Sequence, residues 1–257
     1  FRPLLADPKE PRFYASYHRV NFRTGDVRAG RDTDVIHSGF IGAGENIGLW
    51  TRRAAASCDG VQISLFGGVF AQFDLSISSG DLINTDFLVG IPVSVRRGPW
   101  SFRGRLLHQS SHLGDEFLVR NRAIQVKNFG FEMLDALVSY DHGRLRAYGG
   151  LGVVFNSSTD FDPLAFQAGV EARVPWAPEW KLLGLVPTPV LGVDFKTWQQ
   201  QDWDATWNAV AGLEFNRPGD NARLRLVGTL LHGHFPFAQF FDDTEVDAYG
   251  LAVQFEL

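Results

Sequence analysis

The sequence predicts an all-β protein, a transmembrane antiparallel β-barrel of about twelve strands. Three observations carry this prediction. Apolar and polar residues alternate over strand-length segments, no apolar run approaches the ~18 residues of a transmembrane helix, and compact turns alternate with longer loops. In residues 61–75 the apolar row begins with Val61 and Ile63, and the interleaved row begins with Gln62 and Ser64. Because side chains alternate across a strand, such a segment has one apolar side and one polar side.

Twelve segments follow in order, and most have the roughly 9–11 residues that a tilted strand needs to cross a bilayer. Alternation is clean in residues 82–96, 144–155 and 204–215, and it is least regular in residues 39–52. The predicted strands are residues 12–21, 39–52, 61–75, 82–96, 100–112, 124–140, 144–155, 164–174, 182–197, 204–215, 222–235 and 245–257.

The connections predict an orientation. Compact turns with glycine or proline, at residues 97–99, 141–143 and 217–220, alternate with longer polar loops. Bacterial outer-membrane barrels have short periplasmic turns and longer extracellular loops. We therefore expect the outer membrane of a Gram-negative bacterium, with both termini on the periplasmic side. The alternative is a soluble sandwich or barrel, which would hide its apolar rows inside. The longer loops are residues 23–38, 76–80, 113–122, 156–163, 199–202 and 236–243.

Composition excludes several functions. The net charge of −5 offers no basic surface for nucleic acid, and a single cysteine, Cys58, excludes an intramolecular disulfide and a thiolate metal cluster. Without a linker or a shift in composition, we expect one outer-membrane barrel domain over residues 1–257. No signal peptide precedes Phe1, so for an exported protein we expect the mature form.

The fifth segment carries polar residues on its apolar face. Its outward row runs from Trp100 through Leu106 and then reaches His108, Ser110 and His112. Polar residues on a lipid-facing wall are costly. A histidine and a serine two residues apart share a face, and they form the base and nucleophile of acyl transfer. The pattern predicts that Ser110 is a nucleophile and His108 its general base.

The sixth segment offers a third member. Glu132 and Asn128 fall in its outward row, and a hairpin turning near residues 119–120 places them opposite His108 and His112 respectively. An acidic side chain beside an imidazole fixes its tautomer and stabilises the imidazolium. A register slip of two residues keeps the face, so Asn128 is the second choice after Glu132.

Residues 107–112, which contain His108-x-Ser110, resemble the His-x-Ser motif of the outer-membrane phospholipase A family, and a similar motif occurs in the outer-membrane lipid A deacylase family. Both families place these residues on the lipid-facing wall near the outer leaflet, with Asn as the third residue in the former and Glu in the latter. The phospholipase barrel also has twelve strands. Its motif continues with Asn and Gly, whereas Ser111 and His112 follow here. Separately, residues 2–8 and 62–116 resemble a bacterial family known only as a domain of unknown function.

These observations lead us to expect an outer-membrane lipid acyl-ester hydrolase, acting on phospholipid or lipopolysaccharide. The alternative is a non-catalytic barrel, acting as a narrow channel or a structural anchor. The phospholipase resemblance allows calcium at Asp115 and Glu116, but we expect a solvated pair and no cofactor. His232 and His234 share a face without a nearby carboxylate in the sequence, so we expect them at the membrane interface and not on a metal.

Inside the barrel we expect a plugged, salt-bridged lumen, which suits about twelve strands better than an open pore. The basic residues predicted to face it are Arg103, Arg105, Arg144, Arg146, Arg223 and Arg225, and their predicted partners are Asp74, Asp86, Glu171 and Glu214.

Overall fold

The strands of the protein lie close to the segments that alternation predicts. The computed structural model describes residues 1–24, 34–55, 57–122, 124, 126–174, 185–216 and 222–256. In these residues the strands are β1 (Phe13–Phe22), β2 (Val35–Arg53), β3 (Gly60–Asp74), β4 (Asp81–Arg97), β5 (Trp100–Leu113), β6 (Phe129–His142), β7 (Leu145–Ser157), β8 (Leu164–Arg173), β9 (Val186–Trp198), β10 (Ala205–Asn216), β11 (Arg223–His234) and β12 (Glu245–Glu256). A short helix, α1 (Asp115–Arg120), follows β5.

The sheet closes on itself. Each strand pairs antiparallel with its neighbours in the chain, and β1 pairs with β12 from Phe13 opposite Phe255 to Phe22 opposite Val246. Closure leaves no free sheet edge. The prediction of a closed antiparallel barrel of twelve strands is therefore confirmed. In the described ranges, none of the helices has the length and apolar character needed to cross a bilayer.

The apolar rows lie outside the barrel. Leu251 is 72% exposed and Leu151 is 65% exposed, although leucine is normally buried. Similar residues occupy the outward row of every strand from β2 to β7. A soluble barrel would bury this face, so the soluble alternative does not describe the molecule. The exterior is that of a barrel surrounded by lipid.

The interior is filled by the residues that precede β1. We name residues 1–12 the N-terminal plug. Its Leu4 is fully buried and Arg12 is 3% exposed. The Arg12 guanidinium donates to the carbonyl oxygens of Leu4, Leu5 (2.9 Å) and Asp7 (3.0 Å), and to Gln254 Oε1 on β12 (3.1 Å). One side chain thus fixes the path of the plug and ties it to the last strand.

Charged residues of the plug pair with charged residues of the wall. Ion pairs join Lys9 to Asp86, Glu10 to Arg103 (2.7 Å) and Asp7 to Lys196 (2.8 Å). Within the wall, Arg146 pairs with Glu171 (3.5 Å) and Arg225 pairs with Glu214 (2.7 Å), as expected. The predicted inward position of Arg144 is wrong, because this residue is exposed in a turn. Two cavities of about 120 and 70 Å³ remain beside the plug, and Asp7, Pro8 and Lys9 line both of them.

One end of the lumen is closed by aromatic residues. The β11–β12 connection, residues 235–244, buries Phe235, Phe237 and Phe240 against rings of the barrel wall. The Phe237 ring lies 5.2 Å from that of Phe40 on β2. The prediction that this connection is a polar loop is wrong, because its phenylalanines pack into the barrel instead of facing water.

Most strand boundaries lie within two residues of the predicted ones, and the starts of β2 and β6 differ by more. β2 begins at Val35, four residues earlier than predicted, and β6 begins at Phe129 instead of 124. The loop predicted at 113–122 contains α1, whose Phe117 is 1% exposed and lies edge-on to Phe240, 6.0 Å between ring centroids. This contact packs α1 against the β11–β12 connection. The predicted turn at 217–220 and the start of the predicted ninth strand, 182–184, lie outside the described residues.

We call the two ends of the barrel the turn end and the loop end. The turn end carries the two-residue connections 98–99 and 143–144, together with the start of β1 and the end of β12. The loop end carries the connections 114–128 and 235–244. Ser110 lies three residues before the last residue of β5, so it is close to the loop end.

Candidate active site

The β5–β6 hairpin brings His108 and Glu132 together. The two strands pair so that His108 is directly opposite Glu132 and Ser110 is opposite Gly130. His108 Nδ1 lies 2.8 Å from Glu132 Oε1. In the tautomer that carries the proton on Nδ1, the ring donates to the carboxylate, and Nε2 is left to accept a proton. This is the arrangement of a general base with an orienting acid.

Asn156 is a further partner that sequence reasoning missed. It donates from Nδ2 to Glu132 Oε2 over 2.7 Å. The β6–β7 register shifts at this point, since Glu132 is opposite Asn156 while Met133 is opposite Val154. Phe155 is therefore an extra residue, and this β-bulge places both Phe155 and Asn156 on exposed positions. Without the bulge, Phe155 instead of Asn156 would be directly opposite Glu132.

The site lies on the exterior wall of the barrel and is partly exposed. The His108 and Glu132 side chains are 44% and 33% exposed. Their neighbours on β4 are apolar and also exposed, with Val89 opposite His108 and Phe87 opposite Ser110. A hydrogen-bonded acid–base pair thus interrupts an apolar surface. Such groups are costly on a lipid-facing wall. Because the pair lies on the outside of the barrel, it is not part of the core.

Ser110 shares the outward row with His108 but does not bond to it. Among the described residues, no hydrogen bond joins Ser110 Oγ to the His108 ring. Catalytic hydrogen bonds are often long without substrate and shorten when it binds. The position opposite Ser110 is Gly130, where a Cβ would lie 3.7 Å from Ser158 Oγ and 3.9 Å from His108 Cε1. The missing side chain leaves space beside the hydroxyl for part of a ligand.

The remaining predicted residues lie at the edge of the site. Asn128 precedes β6, and its carbonyl oxygen accepts a hydrogen bond from Ser158 Oγ (2.5 Å). The His112 ring is edge-on to Phe87, 6.0 Å between centroids, with no carboxylate partner among the described residues. Asp115 and Glu116 are exposed in the first turn of α1. The geometry therefore joins Glu132, and not Asn128, to His108.

The barrel is similar to two solved structures. Outer membrane phospholipase A from Escherichia coli matches with a TM-score of 0.60 and 13% identity, over 98% of this chain and 92% of that chain. The Salmonella typhi outer membrane phospholipase dimer with bound calcium matches with a TM-score of 0.62 and 12% identity, over 96% of this chain and 93% of that one. At these identities the likeness shows the fold alone, which is that of Gram-negative outer-membrane barrels.

Sequence comparison gives a family without an activity. Among curated proteins, no sequence matches this chain. A family model described as "Protein of unknown function (DUF1207)" matches residues 1–257. Because the match spans the whole sequence, the chain belongs to the DUF1207 family.

Proposed function

We propose that the protein lies in the Gram-negative outer membrane, with its loop end facing outward. The exposed apolar rows support this location, since lipid is the solvent that they suit. Aromatic residues support the depth at which the barrel lies in the membrane. At the turn end, the exposed Trp100 ring lies 4.7 Å from that of Tyr140, as in the aromatic girdles at the edges of such barrels.

In this membrane, we propose that the protein hydrolyses an acyl ester of a lipid. One observation carries the proposal: Asn156, Glu132 and His108 form a hydrogen-bonded chain on the exterior wall, two residues from Ser110. A lipid ester reaches such a site directly from the bilayer. The fold that the chain shares with two outer-membrane phospholipases agrees with this substrate class.

The chemistry follows from the geometry. Ser110 Oγ attacks the ester carbonyl carbon and gives its proton to His108 Nε2, while Glu132 stabilises the imidazolium. The tetrahedral intermediate collapses, and His108 returns the proton to the departing alcohol. Water then attacks the acyl-serine, with His108 taking and returning a proton, and releases the fatty acid. Asn156 holds the carboxylate in place through its second oxygen.

The depth of the site suits an outer-leaflet ester. Ten residues separate Trp100 from Ser110 along β5. At about 3.3 Å per residue and a tilt near 45°, Ser110 lies roughly 23 Å above Trp100 along the membrane normal. Trp100 then marks the inner interface and Ser110 the ester level of the outer leaflet. A lipopolysaccharide esterase meets its substrate there constantly, whereas a phospholipase acts on phospholipid misplaced into that leaflet.

The lumen does not favour the alternative of a channel. The N-terminal plug lies inside the barrel, with Lys9 Nζ 4.3 Å from the centre of the Phe237 ring, and the β11–β12 connection that carries Phe237 closes the loop end. Two cavities beside the plug measure about 120 and 70 Å³. The hydrolase is therefore the function that the geometry supports best.

Lipid turnover tests the proposal. We expect mass spectrometry of cells that express the protein to show deacylated lipid A or lysophospholipid, and the product to disappear with Ser110→Ala. Ser111→Ala is the matched control, because Ser111 is the next residue on the same strand but faces the lumen, where it donates to Asn84 Oδ1 (2.9 Å). Full turnover with Ser110→Ala, or no lipid change with the wild-type protein, would contradict lipid-ester hydrolysis by Ser110.

The space beside Ser110 gives a second prediction. We expect Gly130→Val to lower lipid turnover at least about 10-fold, since its methyl groups fill the space between His108 and Ser158 at ordinary contact distance. Gly104→Val is the control, because this outward glycine of β5 is remote from the pair and a Cβ there meets only Asp135 O, at 3.9 Å. Initial rates on mixed lipid micelles measure both, with heat-modifiable migration as the test of folding. Equal rates for the two variants contradict the predicted substrate position.

A further inference from the structure

Three potential metal ligands meet at the loop end, on strands remote from β5. Asp204 precedes β10, His234 ends β11, and Glu245 begins β12 directly opposite His234. One ligand atom from each lies within 4.8 Å of the other two. The expectation that His232 and His234 have no nearby carboxylate is wrong, because the barrel brings Asp204 from the β9–β10 connection and two carboxylates from β12 close to them.

His234 has an environment that points to a ligand. It is only 8% exposed, and neither ring nitrogen has a hydrogen-bond partner among the described residues. A buried polar group without a partner is costly, and native structures contain few of them. Its neighbour His232 differs, since it is exposed and its Nδ1 lies 2.6 Å from Asp247 Oδ1. The unpaired ring is therefore particular to His234.

The backbone fixes where His234 lies. Gly233 has a φ of 114°, which side chains rarely permit, and a Cβ there would lie 2.6 Å from Ala205 O. The amide of His234 donates to Thr206 Oγ1 over 3.0 Å. The end of β11 is thus held tightly against the start of β10, which keeps the ring beside Asp204.

The charges around the cluster leave room for a cation. Arg23 forms an ion pair with Glu245 Oε2 at 2.9 Å, and its Nε lies 3.7 Å from Asp247 Oδ2. A carboxylate has a second oxygen, so Glu245 can hold this arginine and a metal together. In the described part of the chain, no cation pairs with Asp204. Two carboxylates and one neutral imidazole give a net negative ligand set.

We propose that Asp204, His234 and Glu245 bind a divalent transition metal, for which Zn²⁺ is the probe. Imidazole nitrogen and carboxylate oxygen are ligands that Zn²⁺ accepts, at about 2.0–2.2 Å. Three protein ligands leave a fourth tetrahedral position for water. Ligand atoms in such a site lie about 3.4 Å apart by these bond lengths, and rotation of the exposed Asp204 side chain closes the difference.

The metal would fasten the loop end. Asp204 ends the β9–β10 connection, while His234 and Glu245 flank the connection 235–244, whose phenylalanines close the lumen. A metal shared by the three residues fixes both ends of that connection. The metal would therefore hold the loop end together, and its binding is separate from ester hydrolysis on β5.

Zinc titration of the full-length, chelator-treated protein in detergent tests the site. We expect calorimetry to show about one equivalent of Zn²⁺ bound, a binding constant lowered at least about 10-fold by Asp204→Asn and by His234→Gln, and a wild-type thermal midpoint that Zn²⁺ raises. Asp204 is exposed, so its variant should fold even if the His234 variant does not.

His232→Gln and Asp202→Asn are the matched controls. His232 lies on the same strand, and Asp202 lies in the same connection as Asp204, but neither belongs to the cluster. We expect both to bind Zn²⁺ within about threefold of wild type. Absence of saturable Zn²⁺ binding to the wild-type protein, or equal loss with His232→Gln and Asp204→Asn, would overturn the proposal.

Discussion

The His108→Gln variant is expected to lose about 10³- to 10⁴-fold of its lipid-ester kcat/KM, because glutamine keeps the size of the side chain but cannot accept the serine proton. The folded barrel should be unaffected, since the His108 ring is exposed and bonds only to Glu132 among the described residues. Initial rates on mixed micelles of phospholipid or lipopolysaccharide measure the effect, and heat-modifiable migration checks folding.

His112 provides the matched comparison. It also lies two residues from Ser110 on the same face, but it packs on Phe87 and has no carboxylate partner among the described residues. We expect His112→Gln to stay within a few-fold of wild type. Glu132→Gln should fall between the two, at roughly 10²-fold, because the imidazolium loses its charged partner. If His112→Gln and His108→Gln fall equally, the acid–base pair does not act on Ser110.

Arg12→Met is expected to lower the free energy of unfolding by about 3–5 kcal/mol. Methionine keeps an unbranched apolar stem, shorter than that of arginine, and removes the donors to Leu5 O, Asp7 O and Gln254 Oε1. Each bond from a charged donor is worth about 1.5–3 kcal/mol, and water in the adjoining cavities recovers part of the loss. Urea unfolding in detergent, followed by tryptophan fluorescence, measures the change.

Arg2→Met is the control for the plug. Arg2 pairs with Asp141 at 2.6 Å, but its side chain is 34% exposed and solvent screens the pair. We expect a loss of no more than about 1 kcal/mol. Wild-type stability of Arg12→Met would show that the plug does not depend on this residue.

Alternation predicted the fold because the barrel has a different solvent on each face. Leu151 and Tyr148, for example, lie on opposite sides of β7, one exposed and one buried. The same periodicity set the faces of His108, Ser110 and Glu132. Their pairing depended on one further quantity, the centre of the β5–β6 hairpin, and the observed register is centred on residue 120.

The features that the sequence did not reveal depend on distant contacts. Asn156 reaches Glu132 only because a bulge adds Phe155 to β7, and a one-residue bulge leaves no signal in an alternating pattern. The N-terminal plug has no periodicity, and its course is set by partners such as Asp86 and Lys196. His234 and Asp204 are thirty residues apart and meet only through the closed sheet.

The plug also constrains the order in which the native structure forms. Its bonds to Gln254 and Lys196 join residues that are 242 and 189 positions apart in the chain. Contacts of such separation form slowly, because closing a long loop costs chain entropy before the contact can stabilise the fold. The binding partners of the plug are complete only when β12 has taken its place beside β1. The segment that precedes every strand is therefore among the last to reach its native position.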